Sequence, residues 1–151
     1  MSLSLPIPNA HFIWYCAWLS IPSTIYALTR KSHRLAIVPA SVFTTSLLYW
    51  RNPVRGSWCR VLDIATVFLG VTYQSIYAFQ TIRITSPNRH FAAYTSLIAA
   101  SGACYALSHR LMKRRRIWPA TYAHASIHLV ANVANMVLYH GMYNKDIFER
   151  N

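Results

Sequence analysis

Acidic residues are almost absent from this chain. Only Asp63, Asp146 and Glu149 oppose 15 Lys and Arg, so the formal net charge is +12. A nucleic-acid partner would suit this charge, but the basic residues stand in short runs between apolar segments, such as RKSHR, RNPVR and KRRR. Such runs cap membrane segments and contact anionic lipid headgroups. We therefore expect membrane lipids as partners, through their headgroups at the basic loops, and no nucleic acid.

Cysteine is scarce as well. Cys16, Cys59 and Cys104 are widely spaced and include no CxxC pair, which argues against a disulfide framework and against a thiolate metal site. The stretch MSLSLPIPNAHF at the start contains no Lys or Arg. It therefore lacks the basic beginning of a cleaved signal peptide, and we expect the first apolar segment to be retained.

Apolar residues, in contrast, make up 54% of the 151 residues, and charged residues only 12%. A soluble domain of this size needs more polar surface, so the composition predicts an integral membrane protein. Apolar segments of near-spanning length extend over about 11–29, 35–50, 57–82, 91–112 and 118–141. Pro22 is expected to kink the first of them without ending it.

The segments follow one another without a long linker or an internal repeat. We therefore predict a single multi-pass transmembrane domain over residues 1–151. Its fold class is all-α, a membrane helical bundle of about five transmembrane helices.

Polar side chains recur at helical spacing in the fifth segment. His124, His128, Asn132 and Asn135 follow at steps of four, four and three residues and share one helix face. Polar groups are costly toward lipid, so this face is expected to point into the bundle. Two imidazoles one turn apart are also a bidentate zinc motif.

Five crossings decide which polar residues can meet. At about 1.5 Å per residue, four polar residues then lie roughly 6 to 15 Å below the same membrane face. They are Asp63 near the start of the third helix, Ser46 near the end of the second, and His124 and His128 in the fifth. His109 and His11 belong to that face, and His109 is the better candidate for a further metal ligand. The opposite face receives His33, His90 and His140.

These residues resemble the pattern of the CREST superfamily of membrane hydrolases, which includes alkaline ceramidases and the progestin and adiponectin receptors. The pattern is a Ser at the end of the second helix with a His four residues later, an Asp early in the third, and HxxxH in the last. Ser46, Asp63 and the pair His124 and His128 match it. The resemblance implies that histidines hold zinc and that Ser46 and Asp63 contact the metal-bound water.

Two features depart from the family pattern. The family has seven helices, and Trp50 stands here at the position of the family's histidine after Ser46. A zinc site would then consist of His124 and His128 completed by His109, or by Asp63 as a direct ligand.

Two functional hypotheses remain open. The resemblance implies a zinc-dependent hydrolase of a lipid amide or ester, with Ser46 and Asp63 as catalytic residues. The alternative is a non-catalytic membrane protein, either an accessory subunit with protein partners within the membrane or a degenerate relative that binds lipid. In that case the histidines hydrogen-bond within the bundle, and Asp63 forms an ion pair with Arg60. Haem ligation by the helix histidines is a third, weaker interpretation.

Overall fold

The computed structural model describes the backbone over residues 4–80 and 89–148 and the side chains over 4–80 and 89–142. The secondary structure in these ranges is helical, so the predicted all-α class is confirmed. The helices are α1 (Ile7–Ala17), α2 (Ser20–Thr29), α3 (His33–Arg51), α4 (Trp58–Ala78), α5 (Arg89–Lys113) and α6 (Ile117–Phe148).

The first apolar segment contains two helices because of Pro22. Its ring nitrogen carries no hydrogen for the carbonyl of Trp18, four residues earlier, and its ring crowds that carbonyl. The amide of Ile21 donates to Trp18 O instead, at 3.1 Å, and the amide of Leu19 donates to Cys16 O at 3.1 Å. Trp18 and Leu19 keep right-handed helical dihedral angles. α1 therefore ends at Ala17 and α2 begins at Ser20, so the expectation that Pro22 would kink this helix without ending it is wrong.

A second proline lies inside α3 without ending it. Pro39 leaves the carbonyl of Leu35 without its usual helical donor. The Tyr139 hydroxyl of α6 donates to that carbonyl at 3.2 Å, and Gln74 Nε2 of α4 donates to the Tyr139 oxygen at 2.6 Å. Leu35, Gln74 and Tyr139 are all buried. This chain of hydrogen bonds joins α3, α4 and α6 and compensates for the missing amide of Pro39.

Buried apolar residues form two clusters near opposite ends of α3. One cluster packs the start of α3 against α2, α4, α5 and the second half of α6, and includes Leu35, Tyr94 and Leu138. The other packs the end of α3 against α1, and includes Ile13 and Trp50. The helix bundle therefore has an apolar core at each end, with polar contacts between them.

Two basic turns connect antiparallel helices. Lys31, after α2, and Arg115, after α5, both have a φ of 57°, the left-handed conformation that commonly ends helices. The next amide reaches back in each case: Ser32 N–H donates to Ala27 O at 2.9 Å, and Arg116 N–H donates to Leu111 O at 3.0 Å. The basic runs thus form the short turns that the sequence predicts between apolar segments.

The surface of α4 is apolar and its inner face is polar. Phe68 and Leu69 are 69% and 66% exposed, whereas Asp63 and Gln74 are 9% and 2% exposed. This distribution is the reverse of a soluble helix, because polar groups face the interior and large apolar groups face outward. Helices α4 and α5 are both long and apolar enough to cross a membrane.

Candidate functional site

The polar face of α6 lies inside the bundle, as its spacing predicts. His128, Asn132 and Asn135 are buried, and His124, one turn before His128, is half-buried. α6 can hold this position because its neighbours contribute hydroxyl and amide groups to pair with it.

Asparagine side chains, rather than the histidines, connect α6 to the first two helices. Ser23 Oγ of α2 donates to Asn132 Oδ1, and Asn132 Nδ2 donates to Ser20 Oγ at 3.3 Å and to the His128 carbonyl at 2.6 Å. Asn9 Nδ2 of α1 donates to Thr121 Oγ1 at 3.1 Å. All polar groups of Asn132 are thereby satisfied, which explains how an amide is accommodated in the interior.

Asp63 accepts two hydrogen bonds from α3. Ser46 Oγ donates to its Oδ1 at 2.8 Å and Thr45 Oγ1 donates to the same atom at 3.1 Å. Within the described ranges no cation lies at ion-pair distance from the carboxylate, and Arg60 is exposed. The Arg60 ion pair considered from the sequence is therefore not formed, and the neutral hydroxyls of Ser46 and Thr45 hold the carboxylate instead.

The two histidine rings of α6 have a different environment. His124 and His128 pack edge to face with ring centroids 6.0 Å apart. In the part of the chain with described side chains, no hydrogen bond reaches either ring. The hydrogen bonds considered for these imidazoles are therefore not formed within the described residues, where Asn132 bonds to α2 instead.

Trp50 occupies the space beside His124. Its ring centroid lies 4.8 Å from that of His124, again edge to face. Trp50 is 5% exposed, and its Nε1 is buried without a hydrogen-bond partner among the described residues. An indole nitrogen only donates and cannot ligate a metal. The residue that replaces the expected histidine thus contacts the histidine pair without adding a ligand to it.

His109 does not complete the pair. It is exposed near the end of α5, where the adjacent Ser108 Oγ donates to the Ala120 carbonyl at 2.9 Å. Among the residues described, no three His, Cys, Asp or Glu side chains stand close enough to hold one metal ion. The structure does not bring His109 together with His124 and His128. Zinc ligation by these three residues therefore stays a prediction.

Asp63 and the α6 histidine pair both contact the last turns of α3, Asp63 directly and the pair through Trp50. Ser46, which binds Asp63, and Trp50, which packs on His124, are separated by one helical turn and share a face. The carboxylate and the imidazoles therefore lie at similar depth along the bundle. The equal depth expected from five crossings agrees with these contacts.

Three contributions to the site were missed from the sequence. Thr45 donates to Asp63 alongside Ser46, and its place next to Ser46 was the available signal. The contact of Trp50 with His124 joins positions on two helices and has no local signature. Tyr139 was missed as a partner of Leu35, although Pro39 signals that a carbonyl in α3 needs an outside donor.

Comparison with known proteins found no matching family model, no matching curated protein and no matching solved structure. The resemblance to the CREST superfamily rests on Ser46, Asp63, His124 and His128 alone.

Proposed function

We propose that this chain is a multi-pass integral membrane protein and that its interior carries a hydrolytic centre for a lipid amide or ester. The observation that carries the proposal is the buried Ser46–Asp63 hydrogen bond, one turn of α3 away from the contact with His124. Ionisable groups inside a membrane bundle are costly and are usually retained for function. The apolar exterior of α4 supports the membrane location.

Zinc fits this centre only in part. Two imidazoles that bind one tetrahedral zinc through bonds of about 2.0–2.1 Å have ring centroids about 5 Å apart, and the α6 pair is close to that separation at 6.0 Å. A catalytic zinc takes three protein ligands, and no third one stands beside the pair in the described ranges. Asp63 could supply it, and would then be a metal ligand in place of the proton acceptor described next.

The residues present have a chemical role of their own. Hydrolysis of an amide or ester adds water to the acyl carbon, breaks the bond to nitrogen or oxygen, and returns the water proton to the leaving group. Asp63, oriented by Ser46 and Thr45, is suited to accept and return that proton. A bound zinc would supply Lewis acidity at the carbonyl.

A second candidate function is favoured by Trp50. An indole packed on His124 fills the place of a metal ligand, which suits a non-catalytic lipid-binding relative or an accessory subunit with partners in the membrane. In that case the polar residues serve helix packing.

Zinc content and hydrolysis separate the two functions. Purified protein in lipid nanodiscs is expected to hold close to one zinc per chain at the α6 pair and to release fatty acid from long-chain amide or ester lipids. His128→Ala and Asp63→Ala should abolish both properties, and His33→Ala, at an exposed histidine on α3, should abolish neither. A metal-free, inactive parent protein whose folding is unchanged in His128→Ala and Asp63→Ala would establish the non-catalytic function instead.

A further inference from the structure

A second pair of histidines lies toward the other end of α6. His90, in the first turn of α5, and His140, in the second half of α6, have ring centroids 5.6 Å apart and ring planes tilted by 52°. His90 is half-buried and His140 is exposed. Along α6, His140 is about 20 Å from the His124 and His128 pair at 1.5 Å per residue, so the two pairs are separate.

The ring separation suits a shared metal ion. Two imidazoles on one tetrahedral metal have centroids about 5 Å apart when the metal–nitrogen bonds are about 2.0–2.1 Å. A small rotation of either side chain closes the remaining difference from 5.6 Å. Because His140 is exposed, a metal ion from the aqueous phase can reach the pair.

Tyr26 of α2 orients one of the two rings. Its hydroxyl lies 3.1 Å from His140 Nδ1, at hydrogen-bond distance. A metal-binding histidine usually donates its other ring N–H to an oxygen, which fixes the ring and its tautomer. With Nδ1 directed to Tyr26, Nε2 of His140 is the atom assigned to the metal.

Gly141 allows α5 and α6 to approach at this point. A Cβ at position 141 would lie 2.8 Å from His90 Cβ, closer than carbon atoms in proteins normally come. The absent side chain therefore makes the two-helix contact that places His90 against His140. Nothing in the local sequence of α5 alone produces this pairing.

Two cations lie close by. The Arg30 guanidinium is 5.0 Å from the centroid of the Tyr26 ring, and Arg89 precedes His90.

We propose that His90 and His140 form a two-imidazole site for a divalent transition metal that joins α5 to α6. By the usual order of affinities for nitrogen ligands, Cu²⁺ binds most tightly and Zn²⁺ and Ni²⁺ less tightly. Tyr26 is a positioning residue of this site. The proposal is independent of hydrolysis and of the His124 and His128 pair.

The test uses the untagged full chain in lipid nanodiscs, in a His124→Ala, His128→Ala background that removes the first pair. Titration with Cu²⁺ against a chromophoric chelator is expected to show one site. His90→Ala and His140→Ala should each weaken that site by at least about tenfold, and Tyr26→Phe by about tenfold. His33→Ala, at an exposed histidine that starts α3, is the matched control and should leave the affinity unchanged.

Electron paramagnetic resonance gives a second readout. The parent background should show Cu²⁺ coordinated by two imidazole nitrogens, and His140→Ala should show one or none. His140 is exposed, so this variant is expected to fold. Equal affinity in the parent and in His90→Ala and His140→Ala, or a spectrum with a single imidazole in the parent, would overturn the proposal.

Discussion

α6 contributes to one histidine pair in each of its halves, and the two pairs are built differently. His124 and His128 lie one turn apart on the same helix, inside the bundle, with rings that accept or donate no hydrogen bond in the described part of the chain. His90 and His140 come from two helices near the surface, and Tyr26 contacts one of the rings. The first pair contacts Trp50, one turn of α3 after the Ser46 that binds Asp63, whereas the second lies near Arg30.

The two pairs arise in different ways, one from spacing within a helix and the other from packing between helices. Helical periodicity alone brings His124 and His128 together, so their separation does not depend on the packing of the bundle. The His90 and His140 pair exists only while α5 packs on α6, so a metal there would report on the helix contact. A pair inside the bundle suits chemistry, and a pair that joins two helices suits stabilisation.

Tyr139→Phe is expected to have the largest effect and to act on the half of the bundle that holds His140. It removes the donor to the Leu35 carbonyl and the acceptor of Gln74, both buried, which should lower the free energy of unfolding by about 2–3 kcal/mol. Unfolding in mixed micelles measures this. Tyr122→Phe, at a 53% exposed tyrosine of the same helix, is the control and should change little. Equal stability of the two variants would contradict the role given to the Tyr139 hydroxyl.

Trp50→His should raise the metal affinity of the His124 and His128 pair without changing that of the His90 and His140 pair. It places an imidazole beside His124, where the indole now lies with its centroid 4.8 Å away. Zinc affinity of the α6 pair should rise by about tenfold, equal to about 1.4 kcal/mol, because a third ligand becomes available. Chelator competition measures it, with Trp58→His at a 69% exposed tryptophan as control. An unchanged affinity would mean that more than a third imidazole is missing.

Gly141→Ala is expected to disturb the second pair alone. The new Cβ would approach His90 Cβ to 2.8 Å, so α5 must shift, at a cost of about 1–2 kcal/mol. Cu²⁺ binding at His90 and His140 should weaken, while metal binding at His124 and His128 should not. Gly102→Ala in α5 is the control, since nothing lies within 4 Å of its Cβ position. If Gly102→Ala and Gly141→Ala have the same effect on Cu²⁺ affinity, the close approach does not matter.

The smallest change in the free energy of unfolding is expected for Lys31→Gly and Arg115→Gly. The change should be the same for both turns, although they lie at opposite ends of the bundle. Each residue has a φ of 57°, which glycine adopts without strain. After the greater freedom of glycine in the unfolded chain is subtracted, a stability gain of roughly 0.5 kcal/mol is expected for each. Arg34→Gly, inside α3, should instead destabilise by about 1 kcal/mol. A loss of stability in Lys31→Gly would show that its side chain contributes to the turn.

The sequence predicts well where one helix governs the outcome. The interior position of His128, Asn132 and Asn135 follows from their spacing, and the sequence places an irregularity at Pro22, although the helix ends just before it and is not merely kinked. The turns at Lys31 and Arg115 fall within the basic runs.

Prediction was weaker where two helices have to meet. The non-catalytic interpretation paired Asp63 with Arg60, but Arg60 is exposed and the hydroxyls of Ser46 and Thr45 bind the carboxylate. His109 shares the correct face of the bundle, yet its exposed position depends on the rotation of α5, which its own sequence leaves undetermined.

The all-helical class, the apolar segments and the polar face of α6 were determined by the sequence, because composition and periodicity act along a single helix. Tertiary structure decided that Trp50 rests on His124 without adding a ligand, that Thr45 joins Ser46 at Asp63, and that His90 meets His140. These pairings depend on the rotation and approach of whole helices, which are set by the sum of many interhelical contacts, such as the close approach at Gly141.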